Sequence, residues 1–194
     1  MAKPVLHIII GSTRPGRVGP AIAQWFCELA LEHDSFEVEL VDLAAMDLPL
    51  FNEPRQPLTR TYEFEHTKRW SASVTRADAF VFVIPEYNHS FNAAMKNALD
   101  YLYHEWRYKP VGLVSYGSGA LGTRAIQALK PVLASLRLIY TGETSISLSQ
   151  FPVVDGVFAG NDVIETRAKA LLDELDFVTP SWLALRLEQE NRPD

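Results

Sequence analysis

The sequence AFVFVIPEYNHS, residues 79–90, gives the clearest indication of the fold. Its opening run, residues 79–84, is entirely apolar. A short apolar run bounded by turn-forming residues is typical of a strand covered on both faces, as in a parallel sheet. We expect Pro85 to end this strand and to stiffen the turn that follows it. The segment therefore predicts a buried strand with an exposed polar loop at its carboxyl end.

Four further segments favour strands, and helical patterns lie between them. The strand segments are 5–10 (VLHIII), 36–41 (FEVELV), 111–116 (VGLVSY) and part of 138–148, broken near Gly142. Apolar residues recur every three or four positions within 22–30, 62–77, 91–102, 121–132 and 164–175, and a weaker helix over 179–190 opens with Thr179 as its cap. Strands that alternate with helices predict an α/β fold. We expect a flavodoxin-like, doubly wound, five-stranded parallel sheet of order 2-1-3-4-5 with helices on both faces, as one domain over residues 1–194.

The composition excludes several classes of protein. Eighteen basic and twenty-four acidic residues give a net charge of −6, which argues against nucleic-acid and anionic-membrane partners. The single cysteine, Cys27, allows no internal disulfide and no multi-cysteine metal cluster, so no metal site is expected. Residues 5–10 are too short an apolar run for a signal peptide, and no later run reaches the ~18 residues of a membrane span. We expect a cytoplasmic protein.

The segment after the first strand, GSTRPGRVG, has the composition of an anion-binding loop. It is neither a dinucleotide fingerprint nor a Walker loop. It does place hydroxyls, arginines and flexible glycines before a helix N-terminus, where free amides and the helix dipole favour a phosphate. The alternative is a solvated turn. The candidate cofactor-binding residues are Ser12, Thr13, Arg14, Gly16 and Arg17.

Two other loops follow strands that would be neighbours of the first. PEYNHS offers a flat ring and an amide that can stack on and hydrogen-bond a planar heterocycle, and SYGSGALG lets a ligand approach the backbone closely. Taken alone, each is as consistent with an ordinary turn. Together, at the switch point of a doubly wound sheet, the three loops favour a mononucleotide with a phosphate at one end and a ring at the other. The additional candidates are Pro85, Glu86, Tyr87, Asn88, Ser115, Tyr116, Gly117, Ser118 and Gly119.

These motifs resemble the NADPH-dependent FMN reductase family, which includes chromate, quinone and azo-dye reductases. GSTRPGR is similar to its phosphate loop, PEYNHS with the following MKNALD to its flavin-ring motif, and residues 115–119 to its third flavin loop. The resemblance covers about residues 5–152. It implies that FMN is bound and that NADPH or NADH is the co-substrate. It also implies ping-pong, two-electron reduction of a small acceptor, namely a quinone, an azo compound, a metal oxyanion or free flavin.

The resemblance also implies roles for particular residues. Ser12, Arg14 and Arg17 would hold the phosphate. The residues of PEYN would hold the isoalloxazine, partly through backbone atoms, and Ser115, Tyr116, Gly117 and Gly119 would close the other side. The flavin supplies the redox chemistry, so no catalytic side chain is expected, although Glu86 and His89 stand where a proton donor could act.

This sequence departs from the family pattern at two positions. Arg17 stands where many members carry a serine, which changes the expected phosphate contact. Asn92 stands where many members carry a proline, which changes the start of the ring-motif helix.

Assembly and function each leave alternatives open. Family members are typically homodimers or dimers of dimers, and the aromatic stretch 101–108 (YLYHEWRY) could form such an interface or pack within its own domain. A flavodoxin-like one-electron carrier without NAD(P)H turnover is the alternative function. A ligand-binding module that has lost turnover is a third.

Overall fold

Five parallel strands form the central sheet of the computed structural model, which describes residues 2–190. In chain order the strands are β1 Val5–Ile10, β2 Glu37–Asp42, β3 Ala79–Tyr87, the short β4 Ser90–Phe91, β5 Pro110–Gly117 and β6 Ile139–Ser147. The parallel strands are ordered β2-β1-β3-β5-β6, and β4 pairs only with β3. The predicted order of five parallel strands is confirmed, since β5 and β6 are the fourth and fifth of them.

Helices cover both faces of the sheet, as predicted. They are α1 Gly19–His33, α2 Leu43–Met46, α3 Glu65–Arg76, α4 Ala93–Asp100, α5 Thr123–Ser135 and α6 Asp162–Glu190. The alternation of β1 separates the two cores: Ile8 and Ile10 pack with α1 and α6, whereas Ile9 packs with α3, α4 and α5. The segment 138–148 does contain one strand, and its ladder shifts register opposite Val111 and Gly112, close to the expected break.

Pro85 does not end β3, contrary to the sequence-based expectation. The strand continues through Pro85 to Tyr87 and turns back into β4, where Tyr87 pairs with Ser90. Asn88 and His89, the two residues between them, both have positive φ (50° and 66°), as a two-residue type I′ hairpin turn requires. Phe91 therefore belongs to β4 and not to the helix predicted over 91–102. The turn lacks the usual Asn-Gly pair, so the local pattern did not indicate a hairpin.

The prediction that a separate, weaker helix starts at Thr179 was also wrong. α6 runs without interruption through Pro180, and the Thr179 hydroxyl donates to the Leu175 carbonyl at 2.6 Å. A hydroxyl that bonds the carbonyl four residues back belongs to a helix interior, not to a cap. Thr179 is fully buried, so the helix is packed against the rest of the protein at the turn just before the proline.

The aromatic stretch 101–108 belongs largely to the core. Trp106 is 1% exposed, and its ring contacts Trp70, Phe80 and Phe82. The Trp106 indole N–H donates to the Leu99 carbonyl at 3.3 Å. Trp106 thus closes the core behind α3 and α4, and it is not available as an interface residue.

Candidate functional site

The first loop joins β1 to α1 and presents an exposed edge beside a helix start. Ser12 is fully buried, whereas Thr13, Arg14 and Gly16 are exposed. Gly16 has φ of +71° in the turn that the Arg17 N–H closes on the Arg14 carbonyl. No side chain caps α1, so the backbone N–H groups of its first turn, apart from Pro20, which has none, remain available to an anion.

Arg17 is held within the protein by an ion pair. Its guanidinium donates to both carboxylate oxygens of Asp42, at 2.6 and 2.5 Å, and also to the Ser12 carbonyl. Asp42 is the last residue of β2 and accepts a further bond from the Ala44 N–H. The hydrogen bonds from Arg17 lower the pKa of the Asp42 carboxyl, which stays ionised at neutral pH. Arg17 therefore braces the first loop against β2, a contact that the sequence did not reveal.

Tyr116 reaches beneath the first loop from β5, although β3 lies between β1 and β5. A Cβ added at Gly19 would lie 2.7 Å from the Tyr116 hydroxyl and would also collide with the Ser12 hydroxyl. The two buried hydroxyls thus meet over the start of α1. Burial raises the pKa of Tyr116 to about 12, so its phenol remains protonated and can donate a hydrogen bond.

The hairpin formed by β3 and β4 supplies the second wall. Tyr87 is 38% exposed, and Asn88 and His89 are exposed beside it. Glu86 is turned towards the third loop: its carboxylate accepts from the Arg124 backbone N–H and lies 3.2 Å from the Arg124 Nε. Glu86 consequently ties the hairpin to the start of α5.

The third loop follows β5. Ser115 is fully buried and serves the fold, because its hydroxyl donates to the Leu121 carbonyl at 3.0 Å and lies 3.0 Å from the Ser145 hydroxyl. Ser118 and Gly119 are exposed, and a Cβ at Gly119 would meet nothing within 4 Å. The open part of this loop is therefore limited to its tip.

The three predicted loops lie together at the carboxyl ends of β1, β3 and β5, which are adjacent in the sheet. Their exposed residues form a surface with a helix start and an arginine at one end and an aromatic hairpin at the other. Pro85, Ser115 and Tyr116 lie beneath this surface. Such an arrangement can hold an anionic group and, next to it, a flat ring.

Four contributing residues were absent from the sequence-based site: Gly19, Asp42, Asn92 and Arg124. Asp42 ends a strand beside the first loop, so its position in the sheet could have indicated a role. Arg124 and Gly19 contribute through contacts between loops that are distant in the sequence. Asn92, whose side-chain amide donates to the Gly11 carbonyl at the start of the first loop, was noted only as a departure from the family pattern.

Comparisons with known proteins agree with this geometry. The family model described as NADPH-dependent FMN reductase matches residues 4–152. The chain is 40% identical over 157 residues to an NAD(P)H-dependent FMN reductase of Schizosaccharomyces pombe, covering 79% of this chain and 78% of the relative. It is 34% identical to an NADPH azoreductase of a Bacillus species, with 73% and 75% covered.

A solved structure has the same fold. It is FerB, a flavoenzyme NAD(P)H:(acceptor) oxidoreductase from Paracoccus denitrificans, at a TM-score of 0.68 and 20% identity, covering 90% of this chain and 98% of FerB. The family match extends over all three loops and over most of the described fold. The chain belongs to the NADPH-dependent FMN reductase family.

Proposed function

We propose that this protein is an FMN-dependent NAD(P)H oxidoreductase that reduces a small acceptor by two electrons in a ping-pong cycle. One observation carries the proposal: the uncapped start of α1, with the buried Ser12 and Tyr116 hydroxyls beside it, lies next to an exposed aromatic hairpin at the same sheet edge. These are the two kinds of surface that a phosphate and a flat ring need. Residues 1–194 would form a single FMN-binding domain.

The first loop would hold the phosphate. The amides at the start of α1 and the hydroxyls of Ser12 and Thr13 offer donors, and exposed Arg14 offers a positive charge. Gly16 leaves the backbone accessible. Arg17 supports this end of the site chiefly by bracing the loop against Asp42.

The other two loops would hold the ring. Residues 85–88 of the hairpin present backbone atoms and the Tyr87 ring, while Ser118 and Gly119 are exposed at the tip of the third loop on the opposite side. Gly117, just before them, packs against the backbone of Gly122. FMN, when bound, supplies the chemistry by accepting hydride from NAD(P)H and passing two electrons to the acceptor. The protein's part is to place the ring, exclude water from one side of it and hold the phosphate.

Absorption spectroscopy tests the proposal. The purified protein is mixed with FMN, reduced with NADPH without oxygen, and then given a quinone. Flavin peaks should appear in the protein fraction, bleach with NADPH and return with the quinone. Binding without bleaching would favour the one-electron carrier or a binding module. Absence of binding at micromolar FMN would contradict the function itself.

The acceptor is proposed as a class. Quinones, azo compounds, metal oxyanions and free flavin are all small enough to reach a flavin ring held between the exposed hairpin and the tip of the third loop. Steady-state rates with one representative of each, at equal NADPH and NADH, would rank the acceptors and the two co-substrates. A rate that rises only with a protein partner, such as a cytochrome, would favour the carrier.

A homodimer, or a dimer of dimers, is proposed as the assembly. The irregular segment between α2 and α3 exposes apolar side chains, and a second copy of the chain could bury this apolar surface in a dimer interface. They are Leu50, Phe51, Leu58 and Phe64. Light scattering on the eluted protein would test this, and a monomer at micromolar concentration would contradict it.

A cytoplasmic location is also proposed. Cys27 is the single cysteine of the sequence and is buried as a free thiol, so the chain has no internal disulfide, which fits a reducing compartment. Across residues 2–190 no helix combines the length and apolar content that crossing a membrane requires. Fractionation of cells that express the protein would test the location.

A further inference from the structure

Asn92 connects two of the site's loops across a long sequence distance. It begins α4, but its side chain does not cap that helix. Its amide group instead donates from Nδ2 to the carbonyl of Gly11, 81 residues away, at 2.6 Å. Asn92 is only 4% exposed, so this bond is shielded from water. The bond joins the beginning of the first loop to the end of the β3–β4 hairpin.

The ladder between β1 and β3 explains why Gly11 needs this donor. The Gly11 N–H donates to the Val83 carbonyl at 2.9 Å, so the polar groups of Val83 face β1. In a regular parallel ladder the N–H two residues further along β3 would donate to the Gly11 carbonyl. That position is Pro85, which has no N–H. The Gly11 carbonyl would be left without its ladder partner, and Asn92 supplies the missing donor.

The surroundings leave little room for another arrangement. A Cβ at Gly11 would lie 3.1 Å from the Met95 methyl, 3.1 Å from the Val83 carbonyl and 3.3 Å from Asn92 Oδ1. The strand end, the hairpin and the first turn of α4 are therefore packed directly on one another. A shift of α4 would move the Gly11 carbonyl and, with it, the buried Ser12 that follows.

We propose that Asn92 is a positioning residue for the flavin site: its carboxamide replaces the main-chain donor lost at Pro85 and holds the phosphate loop against the ring loop. This inference rests on the proposed FMN function for its consequence, but the clamp itself concerns only the protein. A mononucleotide bound at both ends requires the two loops at a fixed separation. Loss of the Asn92 hydrogen bond should therefore weaken FMN binding more than it lowers the stability of the fold.

Two substitutions at Asn92 distinguish loss of the hydrogen-bond donor from loss of side-chain volume. Asn92→Ala removes the donor and leaves space, whereas Asn92→Leu removes the donor and fills a similar volume. Tyr101→Phe is the matched control, because Tyr101 directly follows the same helix, lies outside the flavin-ring motif and makes the same kind of clamp to a different segment. Its hydroxyl donates to the Pro49 carbonyl at 3.0 Å.

FMN affinity is measured by quenching of flavin fluorescence on titration of the protein without flavin. Both Asn92 variants should raise the FMN dissociation constant about tenfold, equivalent to ~1.4 kcal/mol. Tyr101→Phe should lower the melting temperature without a comparable change in that constant. Equal weakening in Tyr101→Phe and the Asn92 variants would show general loosening of α4 and would overturn the proposal, as would wild-type affinity in both Asn92 variants.

Hydrogen exchange on the flavin-free protein tests the clamp independently of FMN. Amides of residues 12–19 should exchange faster in both Asn92 variants than in wild type, and at the wild-type rate in Tyr101→Phe. Unchanged exchange over 12–19 in the Asn92 variants would refute the clamp. If wild type fails to bind FMN while exchange changes as expected, the clamp stands and the proposed function fails.

Discussion

Single residues in this site act mainly through contacts with other loops. Gly19 illustrates this, because its lack of a side chain is what allows the Ser12 and Tyr116 hydroxyls to meet over α1. Its φ is not in the left-handed region, so the requirement for glycine is one of space. A glycine before a helix is common in sequences, and only the approach of Tyr116 from β5 gives this one a specific reason.

Gly19→Ala should destabilise the flavin-free protein by about 1–3 kcal/mol, since the new methyl group overpacks a buried polar contact. Thermal denaturation measures this as a fall of several degrees in the melting temperature. Gly119→Ala is the control, because a Cβ there meets nothing within 4 Å. Equal melting temperatures for the two variants would contradict the steric argument.

The Arg17–Asp42 pair distinguishes two roles for the arginine. If Arg17 mainly braces the loop, Arg17→Ala and Asp42→Ala should each weaken FMN binding. The double variant should then bind FMN as well as the single variant with the lower affinity does. If Arg17 contacts the phosphate directly, removing it from the Asp42→Ala protein should cause a further loss. Flavin titration of all four proteins measures the coupling, and additive losses would refute the bracing role.

Secondary-structure elements were predicted best where local pattern and tertiary environment agree. β1 has the predicted bounds, and α1 contains its predicted apolar stripe. α5 contains its predicted stripe from Ala125 onward, whereas Leu121 lies in the loop before the helix. The predicted β3 ended too early, at residue 84, because a proline normally ends a strand. It continues because Pro85 faces a place where β1 has already ended and where Asn92 replaces the donor. A local rule failed there for a reason that lies in a neighbouring element.

The segment between α4 and β5 should behave as core. Trp106→Ala should destabilise the protein by about 3–5 kcal/mol, because it leaves a cavity among Trp70, Phe80 and Phe82. Urea denaturation gives the free energy of unfolding. Tyr103→Ala, at a half-buried position in the same stretch, should cost much less. A folded, fully stable but monomeric Trp106→Ala protein would instead support an interface role.

At the scale of the whole molecule, stability should depend on pH through His7. Burial in β1 lowers the pKa of His7 from 6.5 to about 4, outweighing Glu39 at 3.0 Å from its Nε2, while Arg76 and Lys109 lower it further. Between these pH values the unfolded chain binds a proton that the folded protein does not. The free energy of unfolding should therefore be highest above pH 6.5 and fall towards pH 4, by up to ~1.4 kcal/mol per pH unit from this group.

Urea denaturation at several pH values between 7 and 4.5 tests this dependence. His7→Gln has no titrating group at this position, so its free energy of unfolding should decline less steeply over the same range. Parallel pH profiles for wild type and His7→Gln would show that other groups govern the acid sensitivity.

The sequence by itself determined the fold class and the three loops of the candidate site, because apolar runs, helical periodicity and strand-end loops are local properties. The strand order followed from the flavodoxin-like topology that this alternation favours. It also supported the family, since the loop motifs are contiguous. It did not reveal that Arg17 is bound to Asp42, that Tyr116 lies under the first loop, or that Trp106 is buried. Each of these depends on which elements the folded sheet brings side by side, and such long-range contacts leave no pattern in the local sequence.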